Sequence, residues 1–183
     1  MTEQTHFIIN ITLISLVEIY LMIRYLMKKV PGKLFENIFL YAIVLTFLIY
    51  EYLKLSIPNF IIVCSLLTVI GHTFLGSYLK WYYTSKIYDR YLHLLGAFSF
   101  SLLAFSIIHA INPLTNYSVL YSSLFVMTLG ITIGVFFEII EFTHDSFSNK
   151  IPCQHGLKDT DFDLIFNIIG SIIAGLITKG VFF

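Results

Sequence analysis

Charged side chains are scarce in this chain. Asp, Glu, Lys and Arg make up 12% of its 183 residues, whereas a soluble domain averages about 25%. Hydrophobic residues make up 57%, and the mean hydropathy is +0.84. The chain has 11 acidic and 11 basic residues and therefore lacks the basic excess that a nucleic-acid partner requires. The shortage of charge favours a protein whose outer surface faces lipid.

Cysteine is nearly absent as well. The two cysteines, Cys64 and Cys153, are far apart and have no metal or redox spacing, which argues against a disulfide framework. The N-terminal stretch MTEQTHF lacks the basic flank of a secretory signal, and no small-residue cleavage site follows the first apolar run. We interpret that run as a permanent membrane helix.

Long apolar runs, by contrast, are abundant. Six of them recur between short polar links, and each approaches the roughly 20 residues that cross a bilayer as a helix. They are Phe7–Met27, Ile38–Leu55, Phe60–Leu79, Tyr91–Ile111, Val119–Phe137 and Phe162–Val181. No long linker or shift in composition separates them. The sequence therefore predicts an all-α, polytopic protein with six spans and a single integral membrane domain over residues 1–183.

The basic residues indicate an orientation. Nine of the eleven lie in the links after the first, third and fifth spans, namely Arg24, Lys28, Lys29, Lys33, Lys80, Lys86, Arg90, Lys150 and Lys158. The opposite side holds Lys54 and Lys179. Because cytoplasmic loops of membrane proteins carry the excess of Lys and Arg, we predict that both termini face away from the cytoplasm.

Acidic residues gather at the predicted cytoplasmic side, most visibly in EIIEFTHD, residues 138–145. Spacings that place polar groups on one helix face occur in three spans: Asp89 with His93, Glu138 with Glu141 and Asp145, and Asp159 with Asp163 and Asn167. His72 lies in the third span, about two turns from the same side. An ionisable group near the centre of a span costs about 2.5–3.5 kcal/mol and normally faces the protein interior or water. We predict a shared cavity open to the cytoplasm; the alternative is a helix end solvated by water.

Two stretches of the chain resemble each other. YDRYLHLLGA (88–97) and FDLIFNIIGS (162–171) share an aromatic residue, Asp, His or Asn, Gly and a small residue at matching positions. This similarity suggests that the third and fourth spans repeat in parallel as the fifth and sixth. The alternative is convergence, since Asp near a helix start and Gly at a helix contact are favourable anywhere.

The polar residues suit two kinds of chemistry. Mixed imidazole and carboxylate ligands can bind a divalent metal such as zinc, manganese or iron, with His72, His93, Glu141 and Asp163 as candidate ligands. Neighbouring carboxylates can instead share protons, which suits acid–base catalysis or proton relay. On either basis the candidate catalytic residues are Glu138, Glu141, Asp163 and His93. The candidate substrate-binding residues are Asp89, Gln154, His155, Asp159 and Asn167.

The motif pattern is similar to that of a known family. The stretches 71–97 and 138–170 resemble the YjdF-like bacterial inner-membrane proteins, and more distantly the VanZ-like proteins. The matching elements are Asp89 and His93 before Gly96, Glu138 and Glu141, Gln154-His155-Gly156, Asp159, Asp163 and Gly170. The resemblance covers about the last two thirds of the chain. It implies a six-helix protein of the bacterial plasma membrane and supplies no reaction.

Three functions remain open from the sequence. One is an enzyme at the inner leaflet that hydrolyses a lipid headgroup or envelope precursor with the help of a metal. The second is a proton- or cation-coupled carrier or sensor, and the third is a non-catalytic membrane assembly factor. Glu18, near the middle of the first span, either reaches this site or pairs with a group such as His109 or Lys54.

Overall fold

The computed structural model describes residues 2–85, 87–113, 117–147 and 156–183, and this part of the chain contains helices and no strands. The helices are α1 (Glu3–Met27), α2 (Pro31–Lys54), α3 (Asn59–Ile70), a π-helical segment (Gly71–Tyr78), α4 (Trp81–Thr84), α5 (Tyr88–Ile111), α6 (Val119–Phe147) and α7 (Leu157–Phe182). When α3 and the π-helical segment count as one, six helices are long and apolar enough to cross a membrane. The prediction of an all-α protein with six spans is confirmed.

The outward faces of these helices are apolar. Leu16, Phe136 and Leu176, for example, expose 60–71% of their surface. Soluble monomers rarely expose large contiguous apolar patches, whereas lipid-facing helices must do so. The exposed surface therefore agrees with the hydropathy of the sequence.

Several helices extend beyond the apolar runs predicted from the sequence, and two of these extensions carry the polar residues of the predicted site. Helix α6 continues past Phe137 to Phe147, and α7 begins at Leu157 rather than Phe162. Hydropathy marks only the apolar part of a helix, whereas backbone hydrogen bonding continues into the polar flanks. Glu138 and Glu141 are consequently held inside a continuous helix, and Asp163 lies in the second turn of α7.

The chain divides into two compact units, Met1–Thr84 and Ser85–Phe183. In the first unit, α1 packs against α2, α3 and the π-helical segment. Its core contains Ile14, Leu21, Leu48 and Ile61, all nearly inaccessible to solvent. The single domain over the whole chain stays a prediction.

In the second unit, α5, α6 and α7 each pack against the other two. Small residues allow the close approach: Gly130 of α6 faces Ser101 and Ser171, and Gly170 of α7 faces the backbone of Leu94. The two similar stretches, 88–97 and 162–171, lie in α5 and α7 of this unit. The superposition of the two helix pairs stays a prediction.

The π-helical segment was not predicted. Its hydrogen bonding is seen at its end, where the Leu79 N–H donates to the Phe74 carbonyl oxygen five residues earlier, at 2.9 Å. Such turns are rare in proteins and frequently occur at functional sites. Here the segment carries Thr73, which is buried, and His72, which is exposed.

Candidate functional site: an imidazole–carboxylate cluster

Helix α5 supplies the central imidazole of a polar cluster in the second unit. Asp89 and His93 are one turn apart, and the Asp89 Oδ1 lies 3.6 Å from the His93 Nε2. The His93 side chain is only 10% exposed. Asp89 stands in the first turn of α5, where a carboxylate is also stabilised by the helix dipole.

Helix α6 adds two carboxylates on the face that meets α5. The Glu138 Oε1 lies 3.6 Å from the same His93 Nε2, and Glu138 is 5% exposed. One oxygen each of Glu138 and Glu141 and a ring nitrogen of His93 lie within 4.8 Å of one another. Because Glu138 is buried, the alternative that these acids form a helix end solvated by water does not apply to it.

Helix α7 adds a carboxylate and an amide. Asp163 is 2% exposed, and one of its oxygens lies within 4.8 Å of ligand atoms of both Asp89 and His93. Its Oδ1 is buried and has no hydrogen-bond partner in the part of the chain that the structure describes. Asn167, also 2% exposed, hydrogen-bonds to His93 and packs directly over Gly134 of α6.

We call Asp89, His93, Glu138, Glu141 and Asp163 the imidazole–carboxylate cluster. It consists of two triads that share His93: one with Asp89 and Asp163, the other with Glu138 and Glu141. Two ligands of one transition-metal ion, each at 2.0–2.2 Å, are at most about 4.4 Å apart. Each triad, within 4.8 Å, is therefore close to the spacing of a metal site.

Arg90 is a neighbour of the cluster that the sequence prediction left out. Its guanidinium lies 4.1 Å from the centre of the Phe162 ring, and its charge acts on Asp163. Its Nε is buried and has no hydrogen-bond partner among the described residues. The signal in the sequence was its position directly after Asp89, at the start of a span. From the sequence alone, Arg90 counts only among the basic residues that indicate the orientation.

The other predicted site residues have different places. Asp159 is close enough to Asp163 and His93 to act on their charge, but it belongs to neither triad. Gln154 and His155 lie outside the described residues. His72 belongs to the first unit, where it is exposed and its Nδ1 lies 2.7 Å from the Tyr82 hydroxyl oxygen. The grouping of His72 with the three other candidate metal ligands stays a prediction.

A groove adjoins the cluster between the end of α6 and the start of α7. Its volume is about 740 Å³, within the range of small-molecule sites. The wall is largely apolar, with Val135, Ile139, Phe142 and Leu164, and Glu138 forms part of it. Glu138 thus belongs both to the cluster and to the groove.

Comparison with known proteins gives the family. A family model described as "Predicted membrane protein (DUF2238)" matches residues 9–182, nearly the whole chain. The chain belongs to the DUF2238 family. A Thermotoga maritima protein, described as an uncharacterized protein, is 32% identical to this DUF2238 chain over 103 residues. The alignment covers 56% of this chain and 53% of the relative, so the chain spans about half the length of the curated relative it matches.

No solved structure matches this DUF2238 protein. The family match and the six apolar helices make it a multi-pass membrane protein. The Thermotoga relative is consistent with a bacterial origin. The similarity to YjdF-like and VanZ-like proteins stays a prediction.

Proposed function

We propose that this DUF2238 protein is a metal-dependent hydrolase of the bacterial plasma membrane that acts on a lipid-borne phosphate ester at the inner leaflet. The observation that carries the proposal is the triad of Asp89, His93 and Asp163. A buried carboxylate oxygen without a hydrogen-bond partner is costly, and the Asp163 Oδ1 is such an atom even with the charge of Arg90 acting on Asp163. A divalent ion bound by this triad would satisfy it.

The ligand chemistry favours a transition metal. One imidazole and two carboxylates suit zinc, manganese or iron better than calcium, which prefers oxygen ligands alone. Asn167 would keep the His93 ring in a fixed orientation through its hydrogen bond, as outer ligands of metal sites commonly do. A divalent ion at such a site supplies activation of water and neutralisation of phosphate charge.

The groove supports a lipid as the carrier of the substrate. An acyl or polyprenyl chain fits its apolar wall, and the ester at the end of that chain would then lie beside Glu138. Arg90, whose planar guanidinium is suited to phosphate oxygens, is near enough to Asp163 for its charge to act on that carboxylate.

The proposed reaction is hydrolysis of a phosphate ester. Glu138 takes a proton from the attacking water, the new P–O bond forms and the ester P–O bond breaks. Glu138 then returns the proton to the leaving alkoxide. Glu141, on the next turn of α6, has an oxygen within 4.8 Å of ligand atoms of Glu138 and His93.

The proposal includes the orientation predicted from the basic residues. Residues 28–37, 80–90 and 146–160 would face the cytoplasm, and both termini would lie outside it. Asp89, Glu138 and Asp163 then stand at the cytoplasmic ends of their spans. Substrates would enter from the inner leaflet.

Metal analysis of the purified protein tests the site. In detergent, we expect about one zinc, manganese or iron ion per chain, and at least a fivefold lower metal content for Asp163→Asn. Asp161→Asn is the matched control, since Asp161 is exposed two residues earlier on the same helix. Equal metal content in wild type and Asp163→Asn would refute the metal site.

Vesicle assays then test the reaction. Wild-type protein in vesicles of phosphatidylethanolamine and phosphatidylglycerol, with or without a polyprenyl diphosphate, is analysed for released headgroup or phosphate. Product from vesicles that lack the polyprenyl diphosphate would identify a phospholipid as the substrate. Product only from vesicles that contain it would identify an envelope-type precursor. Glu138→Gln should retain the metal and lose the product. Proton or cation flux without any product, on the other hand, would favour the carrier that also fits these carboxylates.

A further inference from the structure

Two basic side chains of the first unit converge on one aromatic ring. Arg24 and Lys28 stand one turn apart at the end of α1. The Arg24 Nε donates a hydrogen bond to the Tyr78 hydroxyl at 2.8 Å, and the Lys28 Nζ lies 4.8 Å from the centre of the Tyr78 ring. The Tyr20 hydroxyl oxygen lies 3.4 Å from that of Tyr78. Two cations and two hydroxyls thus meet where α1 and the π-helical segment end.

The Tyr78 ring is held by other aromatic rings. The ring centres of Tyr20, Tyr25 and Phe74 lie 5.8–6.0 Å from that of Tyr78. Tyr25 is buried, so this group of rings is anchored in the core of the unit. Because the packing fixes the direction of the Tyr78 hydroxyl, it also fixes the guanidinium of Arg24 that donates to it. A ligand that binds here loses little additional freedom of the side chains.

The two cations have no acidic partner. Within the described ranges, neither Arg24 nor Lys28 forms an ion pair, and Glu36 of α2 pairs with Lys33 instead, at 2.5 Å. Tyr78 is the only described residue to which the Arg24 side chain donates a hydrogen bond, so the donors of its terminal nitrogens remain for a ligand. Like charges one turn apart on a helix repel each other. An anion bound between them would relieve that repulsion.

The buried acid of α1 is engaged elsewhere. Glu18 is 0% exposed. Its Oε1 accepts a hydrogen bond from the Thr73 hydroxyl at 2.8 Å, and its Oε2 accepts one from the Asn37 Nδ2. Neither His109 nor Lys54, the partners considered from the sequence, provides these contacts. Glu18 therefore leaves the charges at the end of α1 uncompensated.

The cations lie where the membrane surface is expected. Arg24 is in the last turn of α1, and Tyr78 is the last residue of the π-helical segment. Helix α4 follows directly and exposes 42% of Trp81 and 52% of Tyr83. Exposed Trp and Tyr are typical of the boundary between the hydrocarbon core and the lipid headgroups. The end of α1 is therefore at the level of lipid phosphates.

Two further lysines stand at the ends of the same helices. Lys29 follows α1 with a φ of 55°, and Lys80 follows the π-helical segment with a φ of 63°. These are the non-glycine residues with a positive φ in the part of the chain that the structure describes. Glycine adopts this backbone without strain, whereas a side chain there costs free energy. Lysine at both positions retains positive charge at that cost.

An apolar ridge leads from the cations into the membrane. Leu16, Tyr20 and Arg24 follow one another at intervals of four residues, which places them on one ridge of α1. Leu16 exposes 68% of its surface and Tyr20 exposes 44%. Between Leu16 and Arg24 the helix rises about 12 Å, close to the roughly 15 Å that one leaflet contributes to the hydrocarbon core. The ridge has the length and polarity of an acyl chain next to its phosphate.

We propose that Arg24, Lys28 and the Tyr78 hydroxyl bind the phosphate of an anionic phospholipid such as phosphatidylglycerol. The acyl chain lies along Leu16 and Tyr20. Guanidinium groups bind phosphate oxygens through two parallel hydrogen bonds, and basic pockets between spans commonly bind anionic headgroups. A zwitterionic ethanolamine headgroup fits less well, because two unpaired cations repel its ammonium. The site belongs to the first unit and does not depend on the proposed hydrolase; the lipid is a bound partner and not the substrate.

Lipid binding to the full-length protein, purified without lipid in a neutral detergent, tests the proposal. Native mass spectrometry measures the Kd for phosphatidylglycerol and for phosphatidylethanolamine with the same acyl chains. We expect the first phosphatidylglycerol to bind at least tenfold more tightly than phosphatidylethanolamine. Lys28→Gln should weaken phosphatidylglycerol binding about fivefold, the effect of one basic residue near an anionic lipid. Arg24→Gln should weaken it further, because hydrogen bonds to the phosphate are lost as well.

Lys54→Gln is the matched control, because Lys54 is also a basic residue in the last turn of a span but ends α2. It should bind phosphatidylglycerol as wild type does, and so should Asp163→Asn, which alters only the proposed hydrolase site. If Arg24→Gln does not fold, Lys28→Gln, at an exposed position, carries the comparison. Equal Kd values for the two lipids, or unchanged phosphatidylglycerol binding in either folded variant, would overturn the proposal. Displacement of the lipid by an equal concentration of free glycerol phosphate would also overturn it, since the site would then bind phosphate and not a lipid.

Discussion

Replacement of Gly170 by alanine is expected to force α5 and α7 apart. A Cβ at position 170 would collide with the Leu94 carbonyl oxygen, and it would lie 3.0 Å from the carbonyl carbon and 3.2 Å from the Leu94 Cα. All three atoms belong to the backbone of α5, so no rotamer change can relieve the contact. Only a movement of the helices can.

The cost can be worked out from this contact. Overpacking costs about 1–3 kcal/mol, and a backbone obstacle places Gly170→Ala near the upper end. The better helix propensity of alanine offsets about 1 kcal/mol. The net destabilisation is about 2 kcal/mol, which corresponds to a Tm lower by roughly 4–8 °C for a chain of this size.

The assay is thermal unfolding followed by circular dichroism at constant detergent concentration. Gly180→Ala is the control on the same helix, because a Cβ there would meet no atom within 4 Å. It should leave the Tm unchanged or raise it slightly. Should Gly170→Ala unfold within about 1 °C of wild type, the close contact of α5 with α7 would be refuted. Since Leu94 follows His93, loss of bound metal at permissive temperature should accompany the destabilisation if the proposed site exists.

Three further predictions concern other parts of the chain. Thr73→Val should lower the free energy of unfolding by about 1–3 kcal/mol, because Glu18 loses a buried hydrogen bond. Thr73→Ser keeps the hydroxyl and should therefore retain most of the wild-type free energy of unfolding, as chemical denaturation of the two variants can measure. In a variant without Cys64 and Cys153, an impermeant maleimide should label Thr2→Cys but not Lys80→Cys on intact cells, and the reverse pattern would overturn the orientation. In an experimental structure, superposing the third and fourth spans on the fifth and sixth should bring Asp89 onto Asp163 and His93 onto Asn167; a mismatch of a full turn would make the repeat a coincidence.

The sequence predicted those features that depend on periodicity within one helix. Hydropathy predicted the six spans, and the i, i+4 spacing predicted that Asp89 and His93 lie on one face of α5. The stripe of Glu138 and Glu141 likewise pointed to one side of α6. Each of these residues lies in the imidazole–carboxylate cluster because several helices present a polar stripe at the same level. Their function nevertheless stays a proposal.

Contacts between single polar residues on different helices were not predictable. Glu18, Asn37 and Thr73 lie in three different segments, and no spacing in the sequence relates one to another. His72 is assigned to the site only by its depth in the span, which does not determine the direction of its side chain, so its place in the site stays a prediction. Regular α-helical counting also fails beyond Gly71, where the hydrogen bonding changes to the π pattern.

That change of pattern has a consequence for how the chain tolerates deletions. In an ordinary α-helix, loss of one residue rotates everything that follows by about 100°. Removing a residue from α5 after His93 would therefore turn the Phe105 face out of the core. A π turn holds one residue more than an α turn, so a deletion between Phe74 and Tyr78 can be absorbed by a return to α-helical hydrogen bonding. Among the membrane-spanning helices that the structure describes, the Gly71–Tyr78 segment is thus a place where a residue can be lost without rotating the rest of the span.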